Sequence, residues 1–265
     1  MILIFSLLNK CMDDLSKNIK LLAFDLDGTI YMGESLIDGV KDTITSLQKK
    51  YHIVFFTNNS SKSRKDILDK LTNLGLETEL DNIYTASYAT AIYLKDYKIN
   101  NIYMIGSEGL RNEIISEGIK IVNDESAQHL VVGMDFNFDI EKISIALSIL
   151  FNKGKFIACN EDKYFPIAEG KFAPGCAAIV GAISSCSDRS PDVITGKPNT
   201  FLLKKITERF NLNNNQIIII GDSIDSDIKM ALKFKSKSIL FNSLEHVDDR
   251  NVIAIQNFTE ISSYL

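Results

Sequence analysis

Side chains that could bind a cation and a phosphate ester stand in four short polar segments of this sequence, each directly after an apolar segment. The four polar segments are residues 25–29 (Asp-Leu-Asp-Gly-Thr), 57–60 (Thr-Asn-Asn-Ser), 196–198 (Gly-Lys-Pro) and 221–227 (Gly-Asp-Ser-Ile-Asp-Ser-Asp). Grouped together, their carboxylates would repel one another, and a divalent cation would relieve this repulsion. An all-oxygen donor set suits Mg²⁺. With the cation and the lysine present, such a site would attract a phosphate ester.

The apolar segments have the length and composition of buried strands, and they alternate with segments of helical periodicity. This alternation predicts βαβ units and a parallel sheet. The predicted strands are residues 19–24, 53–56, 83–85, 102–105, 130–132, 156–158, 193–195, 217–220, 239–241 and 252–255. The predicted helices are residues 39–50, 88–94, 176–185, 199–210 and 227–234, with three more between Ser63 and Gly75, between Ser107 and Gly118, and after Asp139.

The carboxyl ends of parallel strands lie at one edge of a sheet, where open α/β folds bind their ligands. The four polar segments are therefore expected to converge at that edge. Taken singly, each has an ordinary interpretation as a turn, a loop or the start of a helix. Their common position after strands favours a single site.

Composition excludes several classes of protein. The chain has 265 residues, 45% of them apolar and 24% charged, which is typical of a globular protein with one core or one core and a smaller unit. A net charge of −5 gives no electrostatic footprint for nucleic acid, and no segment indicates a membrane surface. The four cysteines include no Cys-x-x-Cys pair, which argues against a zinc site or a disulfide framework and favours a reducing, cytoplasmic compartment.

The apolar segment at residues 1–8 lacks a basic flank and a cleavage site, and it is too short to span a bilayer. We expect an N-terminal extension there, with Met12 as an alternative start of translation.

The four polar segments resemble the motifs of the haloacid dehalogenase superfamily of aspartate-nucleophile phosphohydrolases. Residues 25–29 match its Asp-x-Asp-Gly-Thr motif, Thr57 its hydroxyl residue, Lys197 its lysine and residues 221–227 its Gly-Asp-x-x-x-x-Asp motif. The spacing is similar to that of the p-nitrophenyl phosphatase, nucleotide monophosphatase and pyridoxal phosphate phosphatase subgroup. The resemblance covers about residues 19–245.

The resemblance implies a Rossmann-like parallel-sheet core with an inserted α/β cap domain. The core would comprise residues 1–95 and 175–265, and the cap, which governs substrate specificity, residues 96–174. Relatives with this cap often form homodimers through it, so a homodimer is an expectation. Three positions depart from the subgroup's usual residues: Glu161, Cys176 and Ser223. None of these departures removes a catalytic group. They do weaken any inference about the substrate from the subgroup.

The resemblance also implies a role for each motif residue. Asp25 would attack phosphorus and form an aspartyl phosphate, and Asp27 would act as general acid and then as general base. Thr57, the Asn58 backbone and Lys197 would stabilise the phosphoryl oxygens.

The resemblance assigns the cation, Mg²⁺, to the acidic residues. Its ligands would be Asp25, the backbone carbonyl of Asp27, and Asp222, with Asp227 orienting the coordination shell.

Further contacts to the substrate are expected from side chains near strand ends. Those predicted to bind substrate or phosphate are Asn58, Asn59, Asn160 and Asp162; other candidates in the cap are Asp135, Asn137 and Tyr164. Each of the cap candidates could instead be a turn or capping residue. Three aromatic residues could stack on a substrate ring or pack in a core: Phe136, Phe138 and Phe165.

Three alternatives stay open at this point. A phosphotransferase would pass the same aspartyl phosphate to an acceptor other than water. A receiver module is also phosphorylated on aspartate, but its length of about 120 residues and the insertion here disfavour it. A member without activity would serve as a binding partner. The sequence does not distinguish nucleotides, sugar phosphates, phosphoglycolate, glycerol phosphate and pyridoxal phosphate as substrates.

Overall fold

The computed structural model describes residues 18–166, 171–242 and 247–265. The segment 1–8 and the alternative start Met12 lie outside the described residues. The strands are β1 (Leu21–Asp25), β2 (Tyr31–Met32), β3 (Ser35–Leu36), β4 (His52–Thr57), β5 (Ile83–Thr85), β6 (Asn101–Ile105), β7 (Lys120–Val122), β8 (His129–Val132), β9 (Phe156–Ala158), β10 (Tyr164–Pro166), β11 (Phe172–Pro174), β12 (Val193–Ile194), β13 (Ile217–Gly221), β14 (Lys237–Phe241) and β15 (Val252–Ile255). The helices are α1 (Val40–Leu47), α2 (Arg64–Asn73), α3 (Ala86–Asp96), α4 (Glu108–Ser116), α5 (Ile140–Phe151), α6 (Cys176–Ser187), α7 (Phe201–Phe210) and α8 (Lys229–Phe234).

The chain divides into two compact units. Of the described residues, the first unit comprises those within Met1–Phe56, Leu71–Asn82 and Leu203–Leu265, and the second comprises those within Thr57–Lys70 and Ile83–Leu202. The predicted cap, residues 96–174, falls inside the second unit. The boundaries between core and cap as functional domains stay a prediction.

The first unit is built on a parallel sheet, with its strands in the order β15-β14-β13-β1-β4. Every residue of β1 and β13 is buried, which explains why residues 21–24 and 217–220 are all apolar. The register pairs Phe24 with Ile220 and Asp25 with Phe56. Asp25 therefore lies at the carboxyl edge of the sheet, level with the end of β13.

The second unit has its own parallel sheet, in the order β12-β9-β8-β6-β7. Alternate residues of β6 and β8 face two different apolar clusters, as the strand period of two requires. Helices α5 and α6 contribute to one cluster, and α3 and α4 contribute to the other. These two sheets with their helices confirm the predicted α/β class.

One expectation about topology is wrong. The sequence predicts that the strand before Lys197 shares a sheet with the strands that precede the other three polar segments. Instead, Val193 pairs with Ile157 and Ile194 with Ala158, so β12 belongs to the second unit's sheet. A two-residue apolar strand carries no information about which sheet it joins, because its partner is chosen by contacts far away in sequence.

Local capping follows the sequence in some helices and departs from it in others. Ser63 and Asp66 exchange capping hydrogen bonds at the start of α2, with Ser63 N donating to Asp66 Oδ2 at 2.8 Å and Asp66 N to Ser63 Oγ at 3.2 Å. Ser107 precedes α4 as predicted, but its hydroxyl donates to the Met134 carbonyl at 2.6 Å and does not cap the helix. Among the described residues, no helix combines the length and the apolar character needed to cross a membrane.

Candidate active site

Three carboxylates meet in the first unit and form the acidic cluster of the candidate site. Asp25, Asp222 and Asp227 each offer one oxygen, and these oxygens all lie within 4.8 Å of one another. Asp25 and Asp227 are buried, with 6% and 0% of their surfaces exposed, while Asp222 is partly exposed. The predicted convergence of the segments after β1 and β13 is therefore observed for these three side chains.

The end of β13 and the turn after it set the position of Asp227. A Cβ added to Gly221 would collide with the Asp227 carboxylate, so glycine at this position lets the side chain approach the strand end. Asp227 lies in a π-helical turn, Ile224–Ile228, and its Oδ2 accepts the Ser223 N–H at 3.2 Å. This contact fixes the carboxylate against the turn that carries it.

The turn after β1 approaches the same cluster. Gly28 has a φ of +87°, a left-handed conformation that favours glycine. The backbone N–H groups of Thr29, Ile30 and Tyr31 all donate to the Leu26 carbonyl, which closes a tight turn. The Thr29 hydroxyl lies 3.5 Å from Asp222 Oδ1, at the long end of hydrogen-bond distances.

Asp27 is exposed at this turn and lies beside a buried phenol. The Tyr31 hydroxyl donates to Asp27 Oδ2 at 3.5 Å, and the Tyr31 side chain is 1% exposed. Burial, followed by the negative charges of Asp27 and Asp25, raises the pKa of Tyr31 far above its ordinary value. Tyr31 therefore stays a protonated donor toward Asp27. The sequence carries no signal for this contact of Tyr31, because the contact depends on how the turn folds back.

The donor set of the acidic cluster fits a hard divalent cation. Two carboxylates about 4 Å apart repel by about 1 kcal/mol in water and by about 4 kcal/mol at an effective dielectric of 20. The three carboxylates of the cluster are mostly withdrawn from water, so they repel one another more strongly than they would in solution. A cation between them would relieve this repulsion. The carboxylate oxygens of this cluster suit hard divalent cations, of which Mg²⁺ is one. The predicted ligation by the Asp27 backbone carbonyl stays a prediction.

A second group of predicted site residues meets in the second unit. The amide of Asn58 contacts the backbone of Lys197 and the carboxylate of Asp162. The Asn160 side chain donates to the Asn58 carbonyl at 2.7 Å. Asn58, Asn160 and Lys197 are buried, with 8%, 3% and 5% of their surfaces exposed.

Two further members of the Thr-Asn-Asn-Ser segment have structural contacts of their own. Asn59 Oδ1 accepts hydrogen bonds from the backbone N–H groups of Ser61 and Lys62 and from the Ser61 hydroxyl, at 2.9 to 3.0 Å. Its N–H donates to Thr57 Oγ1 at 3.1 Å. Ser60, the last residue of this segment, is buried, and its hydroxyl accepts hydrogen bonds from Met134 N and Asn160 Nδ2.

The cap candidates beyond this group have mainly local contacts. Asp135 forms an ion pair with Lys142 at 2.7 Å and accepts the Asn137 N–H at 2.9 Å. These local contacts favour the interpretation of Asp135 and Asn137 as turn residues. Phe138 packs against an apolar cluster, while Phe136 is exposed. Tyr164 is also exposed, and its ring packs edge-on against Phe172.

Comparisons with known proteins give matches that cover most of this chain. A family model for haloacid dehalogenase-like hydrolases matches residues 22–120, and a HAD-hydrolase-like model matches residues 194–250. The acid sugar phosphatase of Staphylococcus aureus (strain MRSA252) is 32% identical over 252 residues, which cover 93% of this chain and 96% of the relative.

Solved structures of phosphatases are similar to this chain over most of its length. The p-nitrophenyl phosphatase from Archaeoglobus fulgidus is 28% identical with a TM-score of 0.86, over 94% of this chain and 100% of that one. The 4-nitrophenylphosphatase from Thermotoga maritima is 31% identical with a TM-score of 0.84, over 95% and 98% of the two chains. The stretches matched by the two family models contain Asp25 and Thr57 in one, and Lys197, Asp222 and Asp227 in the other. This chain therefore belongs to the haloacid dehalogenase-like hydrolases, in the subgroup of the p-nitrophenyl phosphatases.

Proposed function

We propose that this protein is a Mg²⁺-dependent phosphatase that hydrolyses small phosphate monoesters through an aspartyl phosphate on Asp25. One observation carries the proposal: the buried Asp25 carboxylate lies at the carboxyl edge of the sheet, within 4.8 Å of Asp222 and Asp227 oxygens. The named phosphatases among its relatives support the same reaction class.

The acidic cluster would hold the cation. Asp25 and Asp222 would be side-chain ligands, and Asp227, which is held by Ser223 N–H, would orient the coordination shell. When bound, Mg²⁺ supplies positive charge that offsets the cluster and the phosphate dianion.

In the first step, an Asp25 carboxylate oxygen attacks phosphorus, and the bond between phosphorus and the ester oxygen breaks. Asp27, in its protonated form, gives its proton to the departing alkoxide. The exposure of Asp27 supports this role, because its carboxyl can reach a leaving group outside the protein surface.

In the second step, a water oxygen attacks phosphorus and the bond to Asp25 breaks, which restores the Asp25 carboxylate and releases inorganic phosphate. The Asp27 carboxylate accepts the proton that this water loses. The Tyr31 hydroxyl, which lies 3.5 Å from Asp27 Oδ2, would help to orient this carboxyl.

Thr57, the Asn58 backbone N–H and the Lys197 ammonium would contact the phosphoryl oxygens. Positioning and electrostatic stabilisation of this kind account for most catalysis of phosphoryl transfer. These roles rest on the family motifs that the three residues match.

Residues 96–174 would supply the contacts that select the organic part of the substrate. The relative named as an acid sugar phosphatase makes sugar phosphates the first class of ester to examine. Homodimer formation through the cap and a cytoplasmic location remain parts of the proposal, and light scattering on the purified chain would test the first.

The test is phosphate release from a panel of sugar phosphates, nucleotides, glycerol phosphate, phosphoglycolate, pyridoxal phosphate and p-nitrophenyl phosphate. Each is assayed with Mg²⁺ and with EDTA, on wild type and Asp25→Asn. The proposal predicts Mg²⁺-dependent release that the variant lacks. Turnover by Asp25→Asn, after deamidation has been excluded, would contradict the nucleophile, and a phosphorylated acceptor in place of free phosphate would identify a phosphotransferase.

A further inference from the structure

The side-chain amide of Asn58 binds both backbone groups of Lys197. Asn58 Oδ1 accepts the Lys197 N–H at 2.7 Å, and Asn58 Nδ2 donates to the Lys197 carbonyl at 3.1 Å. The two residues are 139 positions apart in sequence. One amide thus anchors the main chain of the lysine from both sides.

The orientation of this amide follows from its partners. A carboxamide offers donors at nitrogen and an acceptor at oxygen. The amide nitrogen of Asn58 donates to the Lys197 carbonyl and, at 2.9 Å, to Asp162 Oδ1. The amide oxygen accepts from the Lys197 N–H. If the amide were flipped, its oxygen would face the Lys197 carbonyl and the Asp162 carboxylate, which are both acceptors.

Glycine at position 196 makes this approach possible. A Cβ added to Gly196 would stand 2.6 Å from Asn58 Oδ1 and 2.5 Å from the Cys159 carbonyl oxygen. Real Cβ atoms do not come so close, so any side chain here would displace the Asn58 amide or the strand end beside it.

Asn58 is itself held by a closed ring of hydrogen bonds. Asn160 Nδ2 donates to the Asn58 carbonyl at 2.7 Å, and the Asp162 N–H donates to Asn160 Oδ1 at 3.1 Å. The bond from Asn58 Nδ2 to Asp162 Oδ1 completes the ring. The side chains of Asn160 and Asp162 therefore hold Asn58 in place, whereas the sequence predicts that Asn160 and Asp162 contact the substrate.

We infer that Asn58 is a positioning residue for Lys197, and that Asn160 and Asp162 act on Lys197 through Asn58. The inference rests on the proposed function, in which the Lys197 ammonium binds the phosphoryl group. A lysine ammonium stands at the end of a flexible stem, so its placement begins with a fixed main chain. All phosphate monoesters share the phosphoryl group, so loss of Asn58 costs every ester the same factor.

The experiment is a double-mutant cycle on the full chain with Mg²⁺, using Asn58→Ala, Lys197→Ala and the double variant. The readouts are kcat/KM for p-nitrophenyl phosphate and for two sugar phosphates, and the Kd of inorganic phosphate. We expect Asn58→Ala to lower kcat/KM by about 10- to 100-fold, as misplacement of a catalytic group by an ångström does. In the Lys197→Ala background, Asn58→Ala should change kcat/KM and Kd by less than about threefold.

A matched control is Asn101→Ala, which removes another amide contact in the same unit, the hydrogen bond from Gln128 N to Asn101 Oδ1. It should leave kcat/KM and the phosphate Kd within about twofold of wild type. If Asn58→Ala does not fold, Asn58→Ser takes its place in the cycle. The rate at which an amine reagent modifies Lys197, read by mass spectrometry, gives a second readout; we expect the Asn58 variant to be modified faster.

Three results would overturn the inference in an active wild-type enzyme. The first is an Asn58 variant with wild-type kcat/KM. The second is an equal loss with and without Lys197, which would mean that Asn58 acts independently. The third is a loss that reorders the esters, which would place these side chains on the organic part of the substrate. An inactive wild type would instead contradict the proposed function.

Discussion

The carboxylate of Asp222 occupies the space where a side chain on Gly28 would have to stand. A Cβ added to Gly28 would collide with Asp222 Oδ2, and Gly28 also holds a φ of +87°. The turn after β1 and the loop after β13 thus fit together through the absence of a side chain. The acidic cluster depends on this fit, because Asp222 is one of its three members.

Gly28→Ala should therefore damage the candidate site more than it damages the fold. A left-handed alanine costs roughly 1–2 kcal/mol, and the added methyl would push Asp222 out of place. We expect Mg²⁺-dependent activity to fall by at least about 10-fold. The control is Gly33→Ala, at φ +58° with nothing within 4 Å of the added Cβ. Equal activity losses in both variants, measured as kcat/KM, would refute the steric argument.

Asp27→Asn should discriminate between leaving groups. An alkoxide needs a proton as it leaves, whereas p-nitrophenolate leaves readily without one. We expect the first-step rate for an alkyl phosphate to fall by about 10²- to 10⁴-fold, the usual contribution of a general acid, and that for p-nitrophenyl phosphate to fall much less. Rapid-quench measurement of alcohol release gives these rates. Similar losses for both esters would argue against the acid role.

Mg²⁺ should stabilise the folded protein through the acidic cluster. A cation at 100 times its Kd contributes about 2.7 kcal/mol, and EDTA should reverse the resulting rise in Tm. Asp222→Asn removes one of the repelling charges, so its Tm without metal should rise while its response to Mg²⁺ shrinks.

The control for this experiment is Asp225→Asn in the same turn. The Asp225 side chain is 84% exposed and pairs with Lys229. Its loss should leave the Mg²⁺-induced change in Tm close to that of wild type. A reduced response in Asp225→Asn but not in Asp222→Asn would place the cation elsewhere.

The cysteines should differ sharply in reactivity. Burial raises the pKa of the Cys159 thiol to about 12, and burial together with the neighbouring Cys159 raises the pKa of Cys176 even further. Cys186 is exposed. In a Cys11→Ser protein at pH 8, a disulfide reagent should titrate one thiol rapidly and two more only after unfolding. Rapid titration of all three in the folded protein would contradict the burial of Cys159 and Cys176.

The same two thiols should make stability depend on pH in the alkaline range. Their folded pKa values lie above the unfolded value of about 8.5, so the unfolded chain loses these protons first. Stability is therefore intact below about pH 8.5 and falls as pH rises, by up to about 1.4 kcal/mol per pH unit for each thiol. Denaturant unfolding between pH 8 and 10 should show a shallower decline in Cys176→Ala than in wild type. Parallel declines would contradict the raised pKa of this thiol.

The acidic cluster was predictable from sequence because its positions follow from strand periodicity. Asp25 follows the apolar residues 21–24, and Asp222 follows residues 217–220 after one glycine. Adjacent parallel strands bring their carboxyl ends together. Buried strands of four or five apolar residues leave little freedom of register. The N-terminal capping of helix α2 by Ser63 was predictable because it is local: its hydrogen-bond partner, Asp66, is only three residues away.

Other features were not predictable, because they depend on pairing over long distances in sequence. The two residues of β12 could have joined either sheet, and only their pairing with β9 settles which. The bond between Asn58 and Lys197 has no local signal, since an asparagine after a strand is equally typical of a turn. Asp135 shows the converse: its position near a strand end suggests a contact to substrate, but its contacts to Asn137 and Lys142 are local.

The most direct test of the central claim is to trap the phosphorylated chain. Asp27→Asn lacks the base for the second step, so the phosphoryl group should accumulate on the protein when p-nitrophenyl phosphate is the substrate with Mg²⁺. After an acid quench, mass spectrometry should find one added phosphoryl group on the peptide that contains Asp25, and none in the double variant Asp25→Asn, Asp27→Asn. A phosphoryl group on any other residue, or turnover in Asp27→Asn at the wild-type rate with no phosphorylated chain, would contradict the account.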